Sequence, residues 1–267
     1  MRNCWRANWK KLIIGLIVAV AAGFGLYLSG LDTLPQASFP LFDRVLLPTS
    51  EDRILIVAPH QDDEVLGAGG YIQRSVSVGA KVEVVFATDG NKQGKKNLRR
   101  TEALSAGQKL GLTNSQLIFL DFPDGNLSQQ SQYDKFVTRM TGEIASFGPS
   151  IVITTLPEDE HSDHAASGRA VKTLLAQGGK FKALFFLVHA DRYPRPIGDA
   201  PDRYLLPPLK LVNNYSWQVF VPTAGEQSQK RSAINLYRSQ MSVTNPILRQ
   251  LLQSFDRRNE LFAQVTL

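Results

Sequence analysis

Three of the four histidines in this 267-residue sequence sit in two acidic clusters roughly 100 residues apart. The first reads Ala58-Pro59-His60-Gln61-Asp62-Asp63-Glu64 and the second His161-Ser162-Asp163-His164. Neutral imidazoles and ionised carboxylates brought to one point make a divalent-metal site, and a catalytic site keeps a position for water. Aspartates that follow a strand also cap helices, so Asp62 or Asp63 alone would identify nothing. Histidines in both clusters shift the balance to a metal. The single cysteine, Cys4, leaves the rest of the chain without thiolate ligands or disulfides.

The elements that must position these clusters are legible as an alternation. Short apolar runs at 54–58, 82–87, 116–120, 151–155 and 183–188 have the composition of strands buried on both faces. Helical stretches are predicted between them at 64–78, 97–110, 132–147 and 163–177. This pattern predicts a Rossmann-like α/β fold, a doubly wound, mostly parallel sheet with helices on both faces. Ligand sites in such sheets lie beyond the carboxyl ends of the strands. His60 to Glu64 directly follow the first run, and His161 to His164 follow the fourth. Asp89 and the segment from Asp121 to Asn126 open on the same rim.

The N-terminus carries a different signal. Arg2, Arg6, Lys10 and Lys11 precede an uncharged run from Leu12 to Leu31, long enough to cross a bilayer as a helix. Trp5, Trp9 and Tyr27 suit the two interfaces. The expectation is a single-pass membrane anchor over residues 1–31, attached to the membrane through residues 12–31. Its basic end is expected in the cytoplasm and the catalytic domain outside it. A cleaved signal peptide is the competing reading, but the run is long for one and no Ala-x-Ala site closes it. Residues 32–52 read as a proline-punctuated tether, and 53–267 as one domain. Of the 30 basic residues, setting aside those four leaves 26 against 24 acidic ones, so the balanced body gives no case for nucleic acid. Oligomeric state is not readable.

The run from Ala58 through Gly67-Ala68-Gly69-Gly70 resembles the signature of the PIG-L/LmbE-like N-acetylglucosaminyl de-N-acetylase family. Arg99-Arg100-Thr101-Glu102-Ala103, Asp124-Gly125-Asn126-Leu127, His161-Ser162-Asp163-His164 and the stretch from Lys230-Arg231 to Tyr237-Arg238-Ser239-Gln240 resemble further blocks of the family in order. Gln61 stands where the family usually has proline. The resemblance implies a hydrolase that removes acetyl from an N-acetylated amino sugar in a glycolipid, glycan or conjugate. It implies one zinc ion per chain, or another divalent metal, held by His60, Asp63 and His164. Asp62 is then the general base, and His161 stabilises the oxyanion or supplies a proton. Asp163 orients a histidine, and Arg99 and Asp124 contact substrate.

Bland readings compete at several positions. Gly67, Gly69 and Gly70 lack the full dinucleotide-binding spacing and read better as a site of close helix packing. The basic run from Lys92 to Arg100 has the look of a solvated face, and His189 that of a structural histidine, so it is left out of the site. Tyr237 to Gln240 are expected on an amphipathic helix, 190–222 as loops and a hairpin, and 246–262 as a C-terminal helix. Two other function classes remain open: a non-haem iron enzyme on the same two-histidine, one-carboxylate set, and a non-catalytic sugar-binding descendant.

Overall fold

The structure, a computed structural model, describes residues 2–30, 34–92, 94–242 and 245–264, with side chains of the first helix described at Trp9 and from Lys11 to Gly25. In chain order the elements are α1 (Arg2–Gly30), β1 (Asp43–Arg44), β2 (Arg53–Ala58), α2 (Asp63–Ser77), β3 (Lys81–Thr88), α3 (Lys96–Lys109), β4 (Leu117–Phe122), α4 (Gln130–Phe147), β5 (Ile151–Thr155), α5 (Ser162–Ala176), β6 (Lys182–Phe186), β7 (Ser216–Phe220), α6 (Ala224–Ile234), α7 (Pro246–Gln253) and β8 (Glu260–Gln264). The strands form one sheet in the order β1-β7-β8-β6-β5-β2-β3-β4. Pairing is parallel except where β8 runs antiparallel to β6 and β7.

The near-continuous apolar runs behave as strands covered on both faces should. Ile54 to Ala58 and Val152 to Ile153 are fully buried. The chain steps from β2 outward through β3 to β4, then returns to the opposite side of β2 as β5. That reversal opens a crevice between the ends of β2 and β5, where open α/β sheets bind their ligands.

The first helix corrects an expectation. Among the described residues no helix is long and apolar enough to cross a membrane. The membrane anchor is therefore withdrawn, and with it the single-pass localisation with a cytoplasmic N-terminus and an extracytoplasmic domain. The side chains of Cys4, Trp5 and Tyr27 lie outside the described residues.

The C-terminal third also departs from the sequence reading. The helix expected over 246–262 stops at Gln253, and 260–264 form β8. The link is fixed by buried polar groups. Arg257 donates to the carbonyls of Pro196 and Gly198, and the Asn259 amide clamps Leu205 through both its N–H and its C=O. Leu261, Phe262 and Ala263 are buried on both faces of the sheet, so their unbroken apolar run mimicked the end of a helix. Tyr237 to Gln240 lie in turns beyond α6. Residues 36–45, expected in the tether, include β1, and Phe39 and Val45 within them are buried.

The glycines of the first cluster's helix are contact points. A Cβ on Gly67 would lie 2.3 Å from the ring of Phe186, on β6. We expect Gly67→Ala to cost about 1–3 kcal/mol of stability, read as a lower midpoint in urea. An unchanged midpoint would mean that the ring swings aside freely.

Candidate active site

His60 follows β2 at once, and α2 begins three residues later. Asp62 occupies the N-cap position of α2, yet its carboxylate makes no capping bond. Its backbone has φ 130°, ψ −31°, a region that costs a non-glycine residue about 1–3 kcal/mol unless its surroundings hold it there. Here the Asp62 amide donates to Glu64 Oε2 at 3.1 Å, and the Asp62 carbonyl accepts from Val65 and Leu66. Glu64 is itself fixed by the buried Tyr237 hydroxyl, which donates to Glu64 Oε1. The second cluster opens α5. His161 is its N-cap, accepting from the Asp163 amide through Nδ1 at 3.3 Å, which leaves Nε2 as the protonated nitrogen of a neutral ring.

Three donor atoms meet between the clusters. His60 Nδ1 lies 3.1 Å from His164 Nε2, and Asp63 Oδ2 lies 3.4 Å from the first and 3.2 Å from the second. Metal bonds of ~2.0–2.1 Å give a tetrahedron edges of about 3.3 Å, so the three atoms have the dimensions of one face. Two other groupings also bring one ligand atom from each residue within 4.8 Å: His60, His161 and His164, and His60, Asp124 and Asp163. The surroundings favour the face that includes Asp63. His60 Nε2 points the other way, 3.2 Å from Asp163 Oδ2 and 3.3 Å from Asp124 Oδ1. Asp163 already accepts from the amides of Gly125 at 2.7 Å and Leu127 at 2.9 Å. A carboxylate so held is placed to accept a hydrogen bond from Nε2–H and leave Nδ1 free for a ligand bond.

Burial and charge set the protonation pattern. Burial works against a charge on both His60 and His164, but the facing carboxylates outweigh it. Asp124, Asp163 and Asp63 raise His60 well above the usual imidazole range, and Asp63 and Asp159 raise His164 to about 9. Burial likewise pushes Asp63 up, and the charges and hydrogen bonds of His164 and His60 overcome it and hold the carboxyl well below its ordinary value. A centre this rich in buried carboxylate draws positive charge onto its histidines, a demand that a divalent cation meets directly. Asp62 differs. Burial pushes it up to about 7, against the pull of Arg99. Burial, followed by the charges on His60 and His164, depresses His161 to about 4.

The donor triangle opens on a cleft lined by His60, Asp62, Asp63, Arg99, Asp124, His161 and His164. Arg99 turns inward, with Nη2 3.3 Å from Asp62 Oδ2 and 2.5 Å from the Gln61 carbonyl. Gln61 fills its place by donating to the Thr88 carbonyl at 2.9 Å. His189, left out of the site as a structural histidine, lines the cleft with its ring 4.8 Å from that of His164. Asp159 was missed. Its Oδ2 lies 3.3 Å from His164 Nδ1, off the line of a hydrogen bond, and accepts from the amides of Val188 and His189. Lys92, Lys95 and Gln240, with Leu248, Leu251 and Leu252 of α7, complete the mouth.

The segment from β2 to α5 that carries both clusters, residues 55–175, matches the family described as PIG-L, GlcNAc-PI de-N-acetylase. It is a PIG-L family segment. The "Probable N-acetyl-alpha-D-glucosaminyl L-malate deacetylase 2" of Bacillus cereus is 31% identical to the chain over 134 residues, 45% of this chain and 60% of that protein. The chain therefore spans less than two thirds of that relative. The N-acetylglucosaminyl-phosphatidylinositol de-N-acetylase of Bos taurus is 27% identical over 207 residues, 73% of this chain and 77% of that one. Among solved structures, the deacetylase of the A40926 pseudoaglycone superposes with a TM-score of 0.63 at 20% identity, covering 81% of this chain and 98% of its own. The 4-carboxy-2-hydroxymuconate hydratase of Pseudomonas putida does so with 0.52 at 17%, covering 76% and 82%. At such identities the likeness shows the fold alone, and that fold serves deacetylases and a hydratase.

Proposed function

We propose that the chain is a zinc-dependent hydrolase that removes the acetyl group from an N-acetylglucosamine-type sugar. The observation that carries this reading is the triangle of His60 Nδ1, Asp63 Oδ2 and His164 Nε2 beside a buried, uncapped Asp62. The match of residues 55–175 to the PIG-L family and the names of both curated relatives support the same class. The three residues fit a divalent ion in size and donor type, and such an ion would supply a Lewis acid and make hydroxide available near neutral pH.

The chain's own residues divide the remaining work. Asp62, carried on its strained backbone at the cleft, takes the proton from the attacking water. His161 presents its Nε2–H to the carbonyl oxygen as negative charge develops there. Asp62 then returns its proton to the departing nitrogen, so water and amide leave as acetate and free amine. Asp163 keeps His60 in the tautomer that frees Nδ1, and Asp159 lies beside His164 Nδ1 as a charge partner. Asp124 and Arg99 line the cleft and are the proposed contacts to sugar hydroxyls.

The test is a stoichiometric one. Purified protein with added zinc is expected to release equal amounts of acetate and primary amine from N-acetylglucosamine conjugates. Consumption of substrate without a new amine would rule out deacetylation and point to other chemistry on the same fold.

A further inference from the structure

Helix α2 is broken at Ala68, where φ is −141° and ψ 17°. A break strands backbone groups that an intact helix would pair, and buried stranded groups are costly. In an unbroken helix the Gly70 amide would donate to the Leu66 carbonyl. Here the Leu66 carbonyl accepts from Lys230 Nζ at 2.9 Å, and the Gly70 amide donates to Glu260 Oε1 at 2.7 Å. Glu260 Oε2 accepts from Tyr71 at 2.9 Å. Lys230 Nζ and Glu260 Oε1 are themselves 2.7 Å apart, with side-chain exposures of 3% and 1%. An ion pair from α6 and β8 is thus spliced into the hydrogen-bond ladder of α2.

The adjacent glycines admit it. A Cβ on Gly69 would lie 3.2 Å from Lys230 Cγ, and one on Gly70 3.3 Å from Glu260 Oε1. A buried ion pair is poor value as a stabiliser, since apolar residues of similar volume often do as well. What this pair sets is direction. On one side of the break lie Asp63 and Glu64, which face His60, His164 and the Asp62 amide. On the other, Tyr71 packs against Phe220 and Phe262. Gly67 lies against Phe186 between them.

We infer that Lys230 and Glu260 are positioning residues: by bridging the break in α2 they fix the first turn of that helix, and so place Asp63 against His60 and His164. The inference rests on the proposed reading of Asp63 as a metal ligand. It predicts that splint variants lose site geometry beyond what lost stability explains.

The full chain is compared as wild type, Glu260→Gln, Lys230→Met and Lys230→Arg, with Phe136→Leu as a core lesion away from α2. Zinc affinity is read by competition with a chromophoric chelator at a temperature where circular dichroism shows each variant folded. Glu260→Gln and Lys230→Met are expected to bind zinc about 10–100-fold more weakly, with kcat reduced about tenfold or more and KM within about twofold. Phe136→Leu should lower Tm and leave zinc affinity unchanged. Lys230→Arg, which keeps the cation, should recover part of the affinity and serves in place of Lys230→Met if that variant does not fold. Folded splint variants with wild-type zinc affinity would overturn the positioning role alone. A wild-type chain that binds no zinc would overturn the proposed function, and the inference with it.

Discussion

Asp62→Asn is expected to reduce kcat by about 10²–10⁴-fold, the usual worth of a positioned proton carrier, while leaving zinc bound. Asparagine has nearly the same shape and is among the few residues that tolerate positive φ, so the loop between β2 and α2 should keep its form. The amide bonds that hold that loop, from Asp62 to Glu64 and from Val65 and Leu66 to the Asp62 carbonyl, use backbone atoms that the substitution does not alter. What disappears is the only unliganded carboxylate among the proposed metal and proton-carrying residues. Steady-state acetate release and chelator competition on the same preparation separate the two effects. Retention of more than a tenth of wild-type kcat would assign proton transfer to another group, His161 being the first to examine.

His164→Ala is expected to act on the ion instead. It removes one corner of the donor triangle and leaves Asp63 and Asp159 buried without the imidazole that faces both. Breaking a buried charge pair from one side costs about 3–5 kcal/mol, so the variant should unfold at lower urea concentration. It should also bind zinc at least about 100-fold more weakly, because both a ligand and the partner of the Asp159 carboxylate are lost. Equilibrium dialysis and urea titration measure the two consequences. Unimpaired zinc binding would mean that the ion sits on the other side of His60, with Asp124 and Asp163. Asp124→Asn would then abolish binding instead.

The parallel half of the sheet and the convergence of the two clusters were readable because they are written in local patterns. Fully buried strands leave apolar runs, and the carboxyl ends of β2 and β5 must share a rim once both lie in one parallel sheet. The antiparallel addition was not readable. Leu261 to Ala263 are as apolar as a helix core would be, and only the buried side chains of Arg257 and Asn259, whose partners are distant in sequence, end one element and begin the next. The N-terminal run from Leu12 to Leu31 was read as a membrane span on hydropathy, whereas among the described residues no helix is long and apolar enough to cross a membrane. In the cleft, the Asp159 carboxylate meets the backbone amides of Val188 and His189 across a gap between the β5–α5 loop and the segment after β6, a pairing that sequence order does not display. Lys230, quoted only within a family-like block, and Glu260 gave no sign of their role, because they pair with each other across the fold and with backbone atoms of another helix.

The central claim is that one ion, held by His60, Asp63 and His164, makes this chain a deacetylase. Its most direct test is a zinc titration of chelator-stripped protein, with acetate release from an N-acetylglucosamine conjugate measured at each addition. The predicted curve rises from near zero and breaks at one equivalent of zinc per chain, and the Asp63→Ala variant shows no break. Full activity in the stripped protein, or a break that survives Asp63→Ala, would contradict it.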